Sequence, residues 1–191
     1  MTKNIKNGEY LHQLNYFDTI ESNDLFKNLK ESILWRQEKL KMFGKEFNFP
    51  RLMAFYGDNN IKYSFSRNTY HAKPWNHSLL KIKAKLENDF DCSFNSVLLN
   101  MYRSGQDSMD WHQDNEKELG TNPIIASVNF GAIRKFELRN NETREKLIFN
   151  LSHGSLLLMK GETQHFWQHR IPKTKKDVSL RINLTFRFIK N

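Results

Sequence analysis

At 191 residues (22.8 kDa) the chain has the length of one domain, and a core of that size needs neither disulfides nor a structural metal to hold it. Aromatic residues make up 13% of it, which excludes a disordered chain despite a mean hydropathy of −0.73. Lys and Arg number 30 against 21 Asp and Glu, a net charge of +9 that points to a polyanionic partner, either a nucleic acid or an anionic membrane surface.

The opening stretch, MTKNIKNGEY, has no apolar signal core, and no run approaches the roughly 18 apolar residues of a membrane span. The expected location is the cytoplasm, or the nucleus in a eukaryotic cell, with no membrane partner and a monomeric state. The single cysteine, Cys92, forms no internal disulfide and reads as a small, partly buried apolar residue. No repeat or Pro/Gly/Ser-rich linker divides the chain.

Two helices are expected. Leu25, Leu29 and Ile33 recur at helical spacing after the cap-forming cluster Ser22-Asn23-Asp24. Trp75, Leu79, Ile82 and Leu86 make a second stripe, with Pro74 where a first-turn proline is tolerated. From residue 94 the texture changes to short strand-like runs at 97–102, 124–130, 135–139, 146–150, 155–159 and 181–189, bounded by turn residues such as Ser104-Gly105 and His153-Gly154. Helices followed by many short strands predict an α+β protein centred on a sandwich or barrel.

Three groups of residues carry chemistry. His112 and Asp114 stand at i and i+2, a spacing that aims both side chains to one side of a strand. With a third imidazole they would make two histidines and a carboxylate on one face of a metal, a set suited to non-haem Fe(II). His153, His165 and His169 all lie downstream, and spacing does not choose among them. In Arg181-Ile-Asn-Leu-Thr-Phe-Arg187, a period of two puts Arg181, Asn183, Thr185 and Arg187 on one side and Ile182, Leu184, Phe186 and Phe188 on the other. The polar side suits a dicarboxylate, because guanidinium pairs bidentately with carboxylate, although a solvated edge or phosphate contacts would also account for it. Asn100 and Tyr102, again at i and i+2, offer two further hydrogen-bonding groups.

In this order, N-x-Y, H-x-D, the late Trp167-Gln-His169 and R-x-N-x-T-x-R resemble the AlkB family of Fe(II)/2-oxoglutarate dioxygenases. So do Pro123–Gly131, Arg134–Arg139 and His153–Met159, and the resemblance runs over roughly residues 43–189. It implies a double-stranded β-helix (jelly-roll) core at 94–189, flanked by N-terminal helices. Residues 1–70 would form an N-terminal extension and nucleotide-recognition lid, within one dioxygenase domain over 1–191. It selects His169 as third ligand, so that His112, Asp114 and His169 would hold Fe(II). Arg181 would bind the distal carboxylate of 2-oxoglutarate, with Asn100, Tyr102, Asn183 and Thr185 orienting it and Arg187 supporting the inner carboxylate or Asp114. With O2, the implied reaction is oxidative demethylation of N-alkylated bases such as 1-methyladenine and 3-methylcytosine, releasing formaldehyde, succinate and CO2. The implied partner is alkylated DNA, duplex by the likeness of Phe43-Gly44-Lys45 and Pro50-Arg51 to a base-displacing hairpin in which Phe43 would be the wedge. RNA or single-stranded nucleic acid is the alternative substrate, and a non-catalytic binding module on the same scaffold the alternative class. Tyr56-Gly-Asp58 and Tyr63-Ser-Phe65 resemble the lid. Phe65 would stack on the flipped base against His112, and Glu116 would attract a cationic base. Arg36, Lys39, Lys41, Lys45, Arg170, Lys173, Lys175 and Lys176 are candidates for phosphate contact.

Overall fold

A computed structural model describes residues 1–42, 44–66 and 68–190. Phe43, the expected wedge, lies outside the described residues. In chain order the elements are β1 (Lys3–Ile5), β2 (Gly8–Gln13), α1 (Thr19–Ser32), β3 (Lys39–Met42), β4 (Lys45–Asn48), β5 (Leu52–Gly57), β6 (Lys62–Phe65), β7 (Asn68–His71), α2 (His77–Phe90), β8 (Ser96–Tyr102) and β9 (Met109–His112). After a 3-10 turn (Lys117–Leu119) follow β10 (Ile125–Gly131), β11 (Arg134–Asn140), β12 (Lys146–Leu151), β13 (Ser155–Lys160), α3 (Thr163–Phe166), β14 (Trp167–Ile171) and β15 (Arg181–Arg187).

Both expected helices form, with starts set by caps that the stripes alone do not locate. The Asp18 carboxylate accepts from the Glu21 N–H at 2.8 Å, so α1 begins ahead of the Ser22-Asn23-Asp24 cluster, which falls inside the helix. Asn76 caps α2 through the Leu79 N–H at 2.9 Å, which leaves Pro74 and Trp75 before the helix rather than in its first turn.

The strands build two antiparallel sheets. The larger runs β1-β2-β13-β10-β15-β8-β5 and the smaller β12-β11-β14-β9. Alternation along the strands creates two cores. Ala126, Val128 and Phe130 of β10 join Ile182, Leu184 and Phe186 of β15 against α1 and α2 on the outer side of the large sheet. The opposite side turns Ile125, Leu157 and Met159 toward Phe136, Leu138, Phe149 and Leu151 of the small sheet. This is the jelly-roll core with flanking helices expected from the sequence.

Two hairpins, β3–β4 and β6–β7, stand outside the main sheets, over a third cluster made by Phe49, Met53, Phe55, Ile61, Tyr63 and Leu98. Residues 1–70 also give β1, β2 and β5 to the large sheet. One expectation fails at the C-terminal end. Phe188 does not join the apolar side of β15 but is 47% exposed. The strand stops at Arg187 because the Asn95 side-chain amide brackets the Ile189 backbone, accepting from its N–H and donating to its C=O, each at 2.7 Å.

Candidate active site

Strand β9 is an edge strand whose neighbour is β14, and their register sets His112 directly opposite His169. The rings meet edge to face at 4.1 Å between centroids. Asp114 does not share a strand face with His112, as the i, i+2 argument expects, because β9 ends at His112. The chain turns beyond it and still returns the carboxylate, with Asp114 Oδ1 at 4.0 Å from His112 Nε2. One ligand atom from each of His112, Asp114 and His169 lies within 4.8 Å of the other two.

The protonation states suit a divalent cation. His112 Nδ1 lies 2.8 Å from the Asp110 carbonyl, which makes it the N–H donor and leaves Nε2 with its lone pair toward Asp114. Burial lowers both imidazoles, His169 to about 3, so both are neutral at pH 7. Burial alone would raise the Asp114 carboxyl, but the Arg187 guanidinium and the two imidazoles hold it down at about 2. Two neutral imidazoles and a carboxylate form a set suited to Fe(II), with coordination positions left for other ligands.

The wall beside this triad comes from β8 and β15, paired so that Arg181 faces Tyr102 and Asn183 faces Asn100. All four polar residues of β15 are buried, and their side chains line one pocket with Asn100, Tyr102, Tyr63, Phe65, Glu116 and the triad. The two arginines differ in what they meet. Arg187 Nη2 donates to Asp114 Oδ2 at 2.7 Å, and this partner raises its pKa against the opposing effect of burial. Arg181 donates to Asn129 Oδ1 and lies 5.0 Å from the Tyr102 ring, while its Nε and Nη1 are buried without partners. Desolvation brings it down to about 10. A buried guanidinium with two unused donors and no facing carboxylate among the described residues is the environment an anionic ligand completes.

Over the pocket mouth, the Tyr63 hydroxyl donates to Glu116 Oε2 at 2.9 Å, and Ser64 N–H reaches Glu118 Oε1 at 3.1 Å, so β6–β7 is latched to the segment after Asp114. Burial, with Asp114 nearby, raises the Glu116 carboxyl. Phe65 stacks on Tyr70 at 4.7 Å. Arg170, a candidate for phosphate contact, is engaged instead: it pairs with Glu137 at 2.7 Å and stacks on Trp111, whose ring also lies 4.2 Å from the Arg139 guanidinium. Lys39 likewise pairs with Glu46.

Four residues join the site to which the sequence assigns no role there. Ser127 lines the pocket, and Asn129 binds both Arg181 and Asn183. Their i, i+2 spacing on a strand-like run was the same signal that singled out Asn100 and Tyr102. Arg51, fully buried, donates from Nε to Asn100 Oδ1 at 2.6 Å. Gln164, with no exposed surface, accepts from the Asp114 N–H at 3.1 Å. Nothing in the local pattern places either at this site.

The family model described as the 2OG-Fe(II) oxygenase superfamily matches residues 10–187. Alpha-ketoglutarate-dependent dioxygenase alkB homolog 3 of Bos taurus is 40% identical over 184 residues, which cover 91% of this chain and 64% of that protein. DNA oxidative demethylase ALKBH2 of Homo sapiens is 36% identical, with 91% and 70% covered. The solved structure of OsALKBH1 superposes with a TM-score of 0.67 over 97% of this chain and 100% of that one; at 14% identity it speaks for the fold. The chain thus spans just under two thirds of the first of these relatives, yet a match that crosses nearly its whole length, with AlkB relatives at 36–40% identity, makes it a member of the 2OG-Fe(II) oxygenase superfamily and, within it, of the AlkB family.

Proposed function

We propose that the protein is one Fe(II)/2-oxoglutarate dioxygenase domain that removes N-alkyl groups from bases such as 1-methyladenine and 3-methylcytosine in DNA. The observation that carries this reading is the Arg181 guanidinium, with no carboxylate partner among the described residues, on the pocket wall beside a triad of two neutral imidazoles and a carboxylate. The named relatives, one of them a DNA oxidative demethylase, supply the substrate class. When bound, Fe(II) with 2-oxoglutarate and O2 supplies an oxidant that hydroxylates the N-methyl group, after which formaldehyde leaves and succinate and CO2 remain.

Each residue then has a role. His112, Asp114 and His169 hold the metal. Arg181 offers Nε and Nη1 to the distal carboxylate, with Tyr102, Asn100, Asn183 and Thr185 orienting the molecule. Asn183 is itself fixed by the Ser127 hydroxyl at 2.9 Å, and Asn100 by Arg51. Arg187 keeps Asp114 ionised and aimed. The flipped base enters between the lid and the triad, where Phe65 gives it an aromatic face and Tyr63 and Glu116 bound the far side. The buried carboxylate of Glu116 favours a cationic base over a neutral one. Duplex DNA is the preferred form, with Phe43 as the wedge that fills the gap left by the base.

The test loads the protein with Fe(II) and 2-oxoglutarate without oxygen, adds a 1-methyladenine duplex, admits air and follows the DNA by mass spectrometry. Loss of one methyl group that requires both iron and 2-oxoglutarate is the expected result. Succinate without demethylation would overturn the substrate and lead to RNA or other lesions. Neither product, with iron verified in the protein, would leave a binding module. On the same duplex and its single strand, Phe43→Ala slows the duplex selectively; equal slowing of both removes the wedge.

A further inference from the structure

We propose that Gln164 is a positioning residue for the carboxylate ligand, forming with Gln113 a reciprocal amide clasp that sets where Asp114 meets the two imidazoles. This rests on the metal-centre reading of the triad.

The two histidines are placed by the sheet itself, because His112 and His169 face each other across the β9–β14 ladder. Asp114 has no such support. It lies two residues beyond the end of β9, and no strand among the described residues pairs with it. What holds its backbone is a pair of amides. The Gln164 Oε1 accepts from the Asp114 N–H at 3.1 Å, and the Gln113 Nε2 donates back to the Gln164 and His165 carbonyls at 3.0 and 2.8 Å. Gln164 has no exposed surface and donates its own Nε2 to Met159 Sδ at 3.6 Å, so its amide orientation is fixed from both ends.

The clasp needs a rigid base, and α3 is too short to be one alone. Thr163 fastens it to β2, accepting from the Glu9 N–H at 3.1 Å and donating to the Lys160 carbonyl. Trp167 Nε1 donates to the Lys6 carbonyl at 2.9 Å. The N-terminal hairpin is thereby tied through α3 to the metal ligand. Side chains that orient a metal ligand typically govern affinity by ten- to a hundredfold. A buried glutamine whose side chain, among the described residues, bonds the backbone at the ligand's N–H alone fits that role better than a packing role, which an aliphatic residue would fill.

The test measures Mn(II) binding to the metal-free protein by calorimetry, with the visible band of the Co(II) form as a second readout. Gln164→Met keeps the length and apolar packing and removes the acceptor. Gln113→Ala removes the other half of the clasp from a partly exposed position, where folding is safe. Leu86→Ala, buried in the other core, is the control that lowers stability without touching the clasp. We expect both glutamine variants to bind Mn(II) at least tenfold more weakly and to alter the Co(II) band, while Leu86→Ala binds as the parent does despite a lower Tm. A folded Gln164→Met that binds Mn(II) within twofold of the parent overturns the proposal. Should that variant not fold, Gln113→Ala decides by the same criterion. Equal weakening in Leu86→Ala would reduce the effect to stability and also overturn it. A parent protein that binds no Mn(II) would instead bring down the metal centre, and the clasp with it.

Discussion

Arg181 and Arg187 sit six positions apart on one strand, face the same pocket and are both buried, yet their surroundings demand opposite consequences on removal. Arg187 is tied to Asp114, so Arg187→Met strands a buried carboxylate; the expected loss is about 3–5 kcal/mol of stability. Arg181 carries a charge that no acid offsets among the described residues, so Arg181→Met relieves a desolvated guanidinium and should leave stability unchanged or raised. Its cost appears in function, as a rise of at least tenfold in the KM for 2-oxoglutarate with Mn(II) affinity intact. Urea denaturation and succinate kinetics on the two variants separate these roles, and a large stability loss in Arg181→Met would sink the assignment. Cys92 makes a quieter prediction. Burial, with Glu87 and Asp91 nearby, pushes its thiol up to about 11. Alkylation by iodoacetamide at pH 8 should therefore be much slower than for a free cysteine of pKa about 8.5. The sign for stability follows: the unfolded chain releases the proton first, so this contribution is complete below about pH 8.5 and fades as the pH rises toward 11. Alkylation at the rate of a free thiol would refute the burial argument.

At the scale of the element, β15 shows both the reach and the limit of reading a strand from its period. The alternation of Arg181–Arg187 was legible because every second residue is apolar and joins the core shared with α1 and α2, where Phe186 stacks parallel to Trp75, just ahead of α2, at 6.3 Å. Phe186→Ala should cost about 3–5 kcal/mol in urea unfolding. Phe188 continues the same sequence pattern but lies past the point where Asn95 captures the backbone, and Phe188→Ala should change stability by less than about 0.5 kcal/mol. Similar losses at both sites would mean that the strand runs on beyond Arg187. The period could not show this end, because what ends the strand is a side chain 94 residues away in sequence. The same limit explains the ligand set. H-x-D named two residues that the structure does bring together, but the shared-face argument does not explain how, since Asp114 lies past the end of β9 and is held by Arg187 and Gln164. His169 could be chosen over His153 and His165 only by family resemblance, because a five-residue strand such as β14 carries too little periodicity to be read alone. Arg51, named in the sequence only for its likeness to a hairpin, and Gln164 could not be placed at the site for a related reason: each is buried by partners distant in the chain, and composition near it says nothing of them.

Across the whole molecule the excess of +9 is not spread over equivalent cations. Arg170 is held by Glu137 and by the ring of Trp111, and Lys39 by Glu46, whereas Lys173, Lys175 and Lys176 lie exposed on the loop that leaves β14 just after His169. A cation already matched by a carboxylate displaces few counterions from a phosphate chain, while an exposed one displaces nearly a full charge. The slope of log affinity against log salt falls by about 0.9 for each duplex phosphate contact removed and by about 0.7 for a single strand. Binding of a methylated duplex should thus weaken with salt, and the double variant Lys175→Ala, Lys176→Ala should flatten that slope by between one and two. Arg170→Ala should leave the slope nearly unchanged, because its charge is spent within the small sheet. Fluorescence anisotropy between 50 and 200 mM salt reads all three proteins on one probe. If Arg170→Ala flattens the slope as much as the lysine pair does, the ion pair with Glu137 opens on binding and the basic surface extends onto the outer side of that sheet; if neither variant changes it, the nucleic acid takes a path that avoids this loop, and the hairpins β3–β4 and β6–β7 carry the contact instead.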